Sequence, residues 1–96
     1  MLTTAEVQAH AADPTLAEAP YNLAYLLVER DEHAQALELF RRAVELRTDF
    51  AEAHFNLAMA LAKLGRRVEA RVHWKRYLEL DPHGAWSATA RQNLQG

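Results

Sequence analysis

The stretch AEAPYNLAYLL at residues 17–27 returns as AEAHFNLAMAL at residues 51–61. The correspondence continues without a gap through two consecutive blocks, residues 17–50 and 51–84, and eleven of the 34 aligned positions are identical. A fixed period of this length is typical of a structural unit repeated along a chain, so the repeat predicts the fold before any single residue does.

Apolar residues inside both blocks recur at intervals of three and four, which is the spacing of one face of an α-helix. No stretch alternates apolar and polar residues as a half-buried strand does. Pro14 and Pro82 lie at the same phase of the repeat, where each ends one helix before the next begins. The short connections make successive helices antiparallel. We therefore predict an all-α chain with helices at about residues 4–12, 18–30, 33–47, 50–64, 67–80 and 85–94.

The predicted helix ends carry local signals. The segments T-x-x-E from Thr3 and Thr15, and D-x-x-E from Asp49, have the pattern of a capping box, in which a short polar side chain accepts a hydrogen bond from a free N–H of the first turn. Gly65 lies where a helix is expected to end in a left-handed residue. Because Pro20 has no N–H, the first regular helix is expected to begin at residues 17–19.

Composition narrows the class of protein. Half of the 96 residues are hydrophobic, which is too many for a disordered tail, and the absence of cysteine leaves no disulfide or thiolate chemistry. The chain begins with neither a basic segment nor a long apolar run, so we predict no signal peptide. No stretch approaches the ~20 apolar residues that cross a bilayer. We predict a cytoplasmic protein without a membrane partner.

The formal net charge of −2 conceals an asymmetry along the chain. Residues 1–62 contain ten acidic and four basic side chains, whereas residues 63–96 contain three acidic and seven basic ones. A solvated helix surface accounts for this pattern, and head-to-tail self-association or an acidic partner is the alternative. Because the whole chain is acidic, direct nucleic-acid binding is not expected. The basic cluster consists of Lys63, Arg66, Arg67, Arg71, Lys75 and Arg76.

The two blocks resemble the tetratricopeptide repeat (TPR), a 34-residue helix–turn–helix unit, and together they cover 68 of the 96 residues. The resemblance implies a short right-handed α-solenoid of antiparallel helix pairs. In this family, small residues let two helices approach and large residues fill the space between them. These packing positions fall on Leu23, Ala24, Leu27, Ala36, Phe40 and Ala43 in the first block and on Leu57, Ala58, Leu61, Ala70, Trp74 and Tyr77 in the second.

The frame divides the chain, as a single domain of residues 1–96, into four parts. Residues 1–16 resemble the second helix of a partial repeat, residues 17–50 and 51–84 are the two full units, and residues 85–96 form a capping helix. Tyr77 replaces the small residue that normally receives the next repeat. The last helix is therefore expected to dock at a different spacing, through an apolar face of Trp86, Ala90 and Leu94.

The resemblance also implies a site, because the first helices of successive repeats line a concave groove in this family. The groove positions begin with Glu18 in the first block and Glu52 in the second. The groove residues predicted to bind a partner are Tyr21, Tyr25, Val28, Glu29, Phe55, Met59, Ala62 and Lys63. An aromatic and thioether surface of this kind suits an apolar peptide or an amphipathic helix. Two alternatives remain: self-association through the same groove, and a role as a TPR segment of a larger bacterial regulatory protein.

Catalytic chemistry has little support in the sequence. The five histidines show no metal-binding spacing, and the one serine, Ser87, has no evident base. His54 and His73 can approach each other within the second block, and we interpret them as packed or solvated side chains. We predict no enzyme, no catalytic residue, no bound metal and no cofactor.

Overall fold

The computed structural model describes residues 14–95, and within this part of the chain it contains five α-helices and no strand. A short 3-10 turn, Pro14–Ala17, leads into the first helix. The bounds of the helices agree to within two residues with those predicted from residue 18 onward; the helix predicted at 4–12 lies outside the described residues. The helices are α1 (Glu18–Glu29), α2 (His33–Leu46), α3 (Ala51–Lys63), α4 (Arg67–Leu80) and α5 (Ser87–Gln95).

Helices that follow each other along the chain pack side by side. The most extensive contacts join α1 to α2 and α3 to α4, and smaller ones join α2 to α3 and α4 to α5. The molecule is therefore a stack of helix pairs in which α3 has a neighbour on both sides. The predicted all-α solenoid of helix pairs is confirmed.

Alanines at matching positions of the two repeats are buried. Ala24 and Ala36 belong to the first pair, Ala58 and Ala70 belong to the second, and all four are at most 1% exposed. A methyl side chain lets two helix axes come close, and larger side chains such as Phe40 fill the space beside the contact. The four alanines are buried in the core as predicted, and their place between the two helices of each pair stays a prediction.

One predicted core residue is not buried. Leu57 on α3 is completely buried, but its counterpart Leu23 on α1 is 49% exposed. The prediction that Leu23 fills the core is therefore wrong. The equivalent side of α3 is packed against α2. Among the described residues, no helix packs against the Leu23 side of α1.

Helices α1 and α3 end in the same way. Asp31 after α1 and Gly65 after α3 both have positive φ, of 62° and 79°. In each case the following N–H reaches back to a carbonyl of the last helical turn at 2.8 Å, as in a Schellman motif. The left-handed conformation predicted for Gly65 is confirmed, and the same conformation at Asp31 was not anticipated.

The helix starts differ from the predicted capping boxes. Ala17 and Phe50 occupy the N-cap positions of α1 and α3, and neither makes a side-chain cap hydrogen bond. Phe50 is buried, with the guanidinium of Arg47 at 4.5 Å from its ring centroid, and the Arg47 Nε atom lies 3.6 Å from the Asp49 carboxylate. The cap predicted at Asp49 is therefore wrong, because burial of Phe50 sets the start of α3. Thr15 lies inside the 3-10 turn, and the box at the chain's beginning lies outside the described residues.

Tyr77 organises the end of the second repeat. Its side chain is 1% exposed, and its hydroxyl donates to Asp81 Oδ2 and accepts from the Trp86 N–H, both at 3.3 Å. A Cβ atom on Gly84 would lie 1.9 Å from Asp81 Oδ2 and 2.6 Å from the Tyr77 hydroxyl oxygen. A larger residue at position 84 would displace the Asp81 carboxylate and the Tyr77 hydroxyl, so the connection before α5 is built around Tyr77.

Two of the three residues predicted for the apolar face of the last helix pack inward, whereas Trp86 precedes the helix and is 37% exposed. Ala90 is fully buried and Leu94 is half-buried against the main core. Two arginines add contacts to main-chain oxygens at 2.6 Å: Arg71 donates to the Leu94 carbonyl and Arg91 to the Pro82 carbonyl. The end of the chain is thereby attached to α4 and to the connection that precedes α5.

Candidate interaction surface

The residues predicted to bind a partner all lie on α1 and α3, but their surroundings differ. Tyr25, Glu29 and Lys63 are exposed, whereas Phe55 is buried. The eight residues therefore do not form one continuous open surface. The four that are half-buried are Tyr21, Val28, Met59 and Ala62.

Phe55 is a core residue at the C-terminal end of the stack. It is 8% exposed and stacks on Trp86 with ring centroids 4.8 Å apart. Its edges meet Trp74 at 5.2 Å and Tyr77 at 5.3 Å. The expectation that Phe55 lies open in a groove is corrected, because the chain that follows α4 places an indole ring over it.

Trp86 is a surface residue on this side that the predicted groove did not include. It is 37% exposed while its ring covers Phe55. Trp86 lies 34 residues after Glu52 and 68 after Glu18, and both of these are groove positions of the repeat frame. That periodicity is the signal in the sequence that places Trp86 on the groove side.

The side chain of Tyr21 links α1 to α3. Its ring lies 4.7 Å from Phe50 and 5.8 Å edge-on from Phe40, and its hydroxyl accepts a hydrogen bond from Asn56 Nδ2 at 3.0 Å. Burial, together with the negative charge of Glu52, raises the pKa of the Tyr21 hydroxyl, so the side chain is neutral at physiological pH. Tyr21 is therefore a structural anchor with one edge toward the surface.

Tyr25 is the exposed aromatic residue of α1. It is 47% exposed and its ring centroid lies 6.4 Å from that of Tyr21. Together with Asn22 and Leu26, the two tyrosines line an open, mostly apolar depression of about 420 Å³. This depression can receive an apolar side chain of another molecule.

Met59 and Ala62 continue the surface along α3. Both are half-buried and pack against the main core, and Ala62 also lines a cavity of about 230 Å³ between α3, α4 and α5. Exposed carboxylates border the same helices at Glu18, Glu29 and Glu52. The candidate surface therefore combines aromatic and thioether groups with an acidic rim at these three residues and a basic side chain, Lys63, at the end of α3.

His54 and His73 do come together, as the sequence allowed. Their Nδ1 atoms are 3.1 Å apart, and His54 Nε2 lies 2.9 Å from the Thr48 carbonyl oxygen. Because only an Nε2–H can donate to that carbonyl, the Nδ1 of neutral His54 accepts from the Nδ1–H of His73. Burial lowers the pKa of His54; burial and the neighbouring His54 lower the pKa of His73 to about 4.

The pair is therefore a neutral, hydrogen-bonded contact between α3 and α4. Over residues 14–95, no group of three or more histidine, aspartate or glutamate side chains converges as a metal site would. None of the helices described is both long enough and apolar enough to cross a membrane.

Comparison with known proteins agrees with the repeat seen in the structure. A family model described as TPR repeat matches residues 24–65, and one described as tetratricopeptide repeat matches residues 51–83. The chain belongs to the tetratricopeptide repeat family. Repeats of this family generally mediate protein–protein interaction and are typically not catalytic.

The chain is also similar to an uncharacterized protein of Methanocaldococcus jannaschii. The two are 45% identical over 49 residues, which make up 51% of this chain and 57% of the archaeal protein. The chain thus spans little more than half the length of this relative.

Proposed function

We propose that this chain binds a short segment of another protein, a peptide or an amphipathic helix, on the side formed by α1, α3 and the start of α5. The observation that carries the proposal is the partial exposure of Tyr25 and Trp86, at 47% and 37%. Together with Met59, they offer rigid aromatic area and an adaptable thioether, the groups that dominate protein contacts energetically.

The acidic rim favours a partner whose apolar residues are flanked by lysine or arginine. Glu18, Glu29 and Glu52 are exposed on the same two helices as Tyr25 and Met59. Charged groups at a rim mainly steer the encounter and fix its register, while buried aromatic contacts supply most of the affinity. Binding should therefore weaken moderately as salt concentration rises.

A displayed library of helical and extended peptides tests this proposal, with the intact chain as bait. Peptides that are selected should bind Tyr25→Ala and Met59→Ala about 10-fold or more weakly than the unmodified chain. Both changes lie outside the fully buried core, so circular dichroism should show an intact fold. Val72→Ala is the matched control, because Val72 is an apolar residue of α4 that is 59% exposed.

Tryptophan fluorescence gives an independent readout of where a peptide binds. Trp74 is 2% exposed and Trp86 is 37% exposed, so binding beside α5 should change mainly the emission of Trp86. Trp86→Phe should remove most of that change while preserving an aromatic ring over Phe55. Selected peptides that bind Tyr25→Ala normally, or that lose affinity on Val72→Ala, would contradict the proposed surface.

A further inference from the structure

The cavity of about 230 Å³ between α3, α4 and α5 is lined along one face of α4 by two arginines. Arg67, Ala70, Arg71 and Trp74 follow each other at intervals of three and four residues, so their side chains share that face. Trp74 is 2% exposed, whereas both arginines are exposed. The cavity therefore combines an apolar wall with two positive charges.

The first repeat shows how the same place is filled when it is packed. Leu37 and Ala58 are at most 2% exposed there, and Met59 packs against the main core beside them. The residues 34 positions later line the cavity, and all three carry hydrogen-bond donors. An apolar contact between successive helices in the first repeat is thus a polar cavity in the second. The three replacing residues are Arg71, Gln92 and Asn93.

No carboxylate balances the two arginines of the cavity. Across residues 14–95, Arg67 and Arg71 form no ion pair with an acidic side chain, whereas four other arginines do. Arg71 donates from Nη1 to the Leu94 carbonyl at 2.6 Å, which is one of the five N–H donors of a guanidinium. Like charges one helical turn apart destabilise a helix, and an anion between them removes that repulsion.

We propose that this cavity binds the carboxylate of an aspartate or glutamate side chain of a partner protein. The two guanidinium groups and the carboxamides of Gln92 and Asn93 donate to the carboxylate, while Trp74 and Ala70 contact its methylene groups. Ala62 belongs both to this lining and to the predicted groove residues, so the cavity adjoins the candidate surface. The inference rests on the proposed function for the source of the carboxylate, and the affinity of the cavity for a carboxylate does not.

The lining favours an aliphatic carboxylate over inorganic phosphate. A planar guanidinium forms paired hydrogen bonds with either anion, so the arginines alone do not distinguish them. The apolar wall does, because Ala62, Ala70 and Trp74 gain contact area only from an anion that carries methylene groups. We therefore expect a short-chain carboxylate to bind more tightly than phosphate.

An NMR titration of the full chain with butyrate tests the cavity by itself, because butyrate reproduces the side chain of glutamate. The chain contains two tryptophans, and Trp86→Phe identifies which indole N–H signal belongs to Trp74. That signal should shift and saturate with butyrate, and it should not respond to butyramide, the uncharged analogue, at the same ionic strength. A response to butyrate that does not saturate, an equal response to butyramide, or phosphate binding as tight as butyrate overturns the proposal.

Charge-removing variants locate the binding. Arg67→Gln and Arg71→Gln should each weaken butyrate binding by about 10-fold or more, since each removes a charged donor. Lys75→Gln removes the same charge from an exposed residue of α4 outside the cavity and should leave the affinity unchanged. Because Arg71→Gln also gives up the contact with Leu94, thermal melts accompany it, and Arg67→Gln decides the question if that variant is unfolded. Unaltered binding by Arg67→Gln contradicts the site.

Peptides selected on the candidate surface identify the source of the carboxylate. They should share an acidic residue, and its change to the corresponding amide should weaken binding to the unmodified chain by about 10-fold. The same change should have little effect on binding to Arg67→Gln, which closes a double-mutant cycle. Tight peptides without an acidic residue overturn the assignment to a partner. A chain that binds butyrate but selects no peptide contradicts the proposed function and confirms the affinity of the cavity, so the two ideas fail separately.

Discussion

Helices α1 and α3 start from nearly the same sequence and have different surroundings. Of their buried residues, α1 has one, Ala24, whereas α3 has seven. The cause is position in the stack: α3 lies between α2 and α4, while α1 has a packed helix on one side among the described residues. Repeated sequence thus determines which residues can be buried, and neighbours determine which of them are.

The largest effect should come from the leucine position that is common to the two helices, Leu23 in α1 and Leu57 in α3. Leu57→Ala removes a completely buried side chain and should lower the free energy of unfolding by about 2–5 kcal/mol. Leu23→Ala at the matched position should cost less than about 1 kcal/mol, since this side chain is 49% exposed. Urea denaturation of the two variants and the unmodified chain measures both. Equal losses would contradict the difference in burial.

A pH dependence should come from the second repeat alone. In the native state both His54 and His73 are neutral, with the pKa of His73 lowered to about 4, whereas an unfolded histidine titrates near 6.5. As the pH falls from 7, both histidines become protonated in the unfolded chain, whereas they stay neutral in the native state. The free energy of unfolding is therefore highest above about pH 6.5, and it decreases by about 2–3 kcal/mol toward pH 4. Denaturation curves measured across this range give the slope.

The first repeat supplies the control for this prediction. Leu39 stands there where the second repeat has His73, so His73→Leu copies the first repeat and should flatten the slope between pH 7 and pH 4.5. Charges beside the pair, Arg41, Glu69 and Arg76, remain in this variant and account for what slope is left. His83→Gln alters an exposed histidine outside the pair and serves as the matched control.

The contact between the two helices of each pair, which we call the seam, should respond to a larger side chain in the same way in both repeats. Ala36 and Ala70 are 0% and 1% exposed and occupy the same position on the second helix of each pair. Ala36→Leu and Ala70→Leu should therefore both overpack the seam and cost about 1–3 kcal/mol in free energy of unfolding. Thermal melts would detect either loss. A variant as stable as the unmodified chain would contradict the helix pairing in that repeat.

The sequence predicted those features that depend on the repeat itself. Helix bounds, the buried alanines and the left-handed Gly65 follow from spacing and local chemistry, which are the same wherever the unit stands. Features that depend on what lies beside a unit were not predictable in this way. Leu23 is exposed because its neighbour differs from that of Leu57, and Phe55 is covered because Tyr77 and Gly84 direct the chain across it.

The candidate surface was predicted only in part for the same reason. Tyr25 and Met59 were assigned to it from their place in the frame, and the structure leaves Tyr25 exposed and Met59 half-buried at the border of the core. Trp86 was assigned to a capping face, although its position in the frame also matches the groove. Trp86 covers Phe55 and also forms part of the surface. The periodic pattern alone does not distinguish these two roles.

The smallest effect concerns the matched helix ends. Asp31 and Gly65 share a positive φ, and a side chain in this conformation is strained by roughly 1 kcal/mol relative to glycine. A Cβ at Gly65 would have nothing within 4 Å, so Gly65→Ala should cost about 1 kcal/mol from backbone conformation alone. Asp31→Gly should stabilise the chain by about 0.5 kcal/mol. It relieves the strain and gives up a contact with His33 whose aspartate partner is 92% exposed and adds little to stability.

Urea denaturation of both variants decides this comparison, with Asp31→Asn as the control because asparagine also tolerates positive φ. The asparagine variant removes the carboxylate charge beside His33 and keeps the backbone preference, so its stability should be close to that of the unmodified chain. If Asp31→Gly were destabilising while Asp31→Asn were neutral, added freedom of the unfolded chain would outweigh the relieved strain. The two helix ends would then differ in what makes each of them stable, even though their hydrogen bonds are the same.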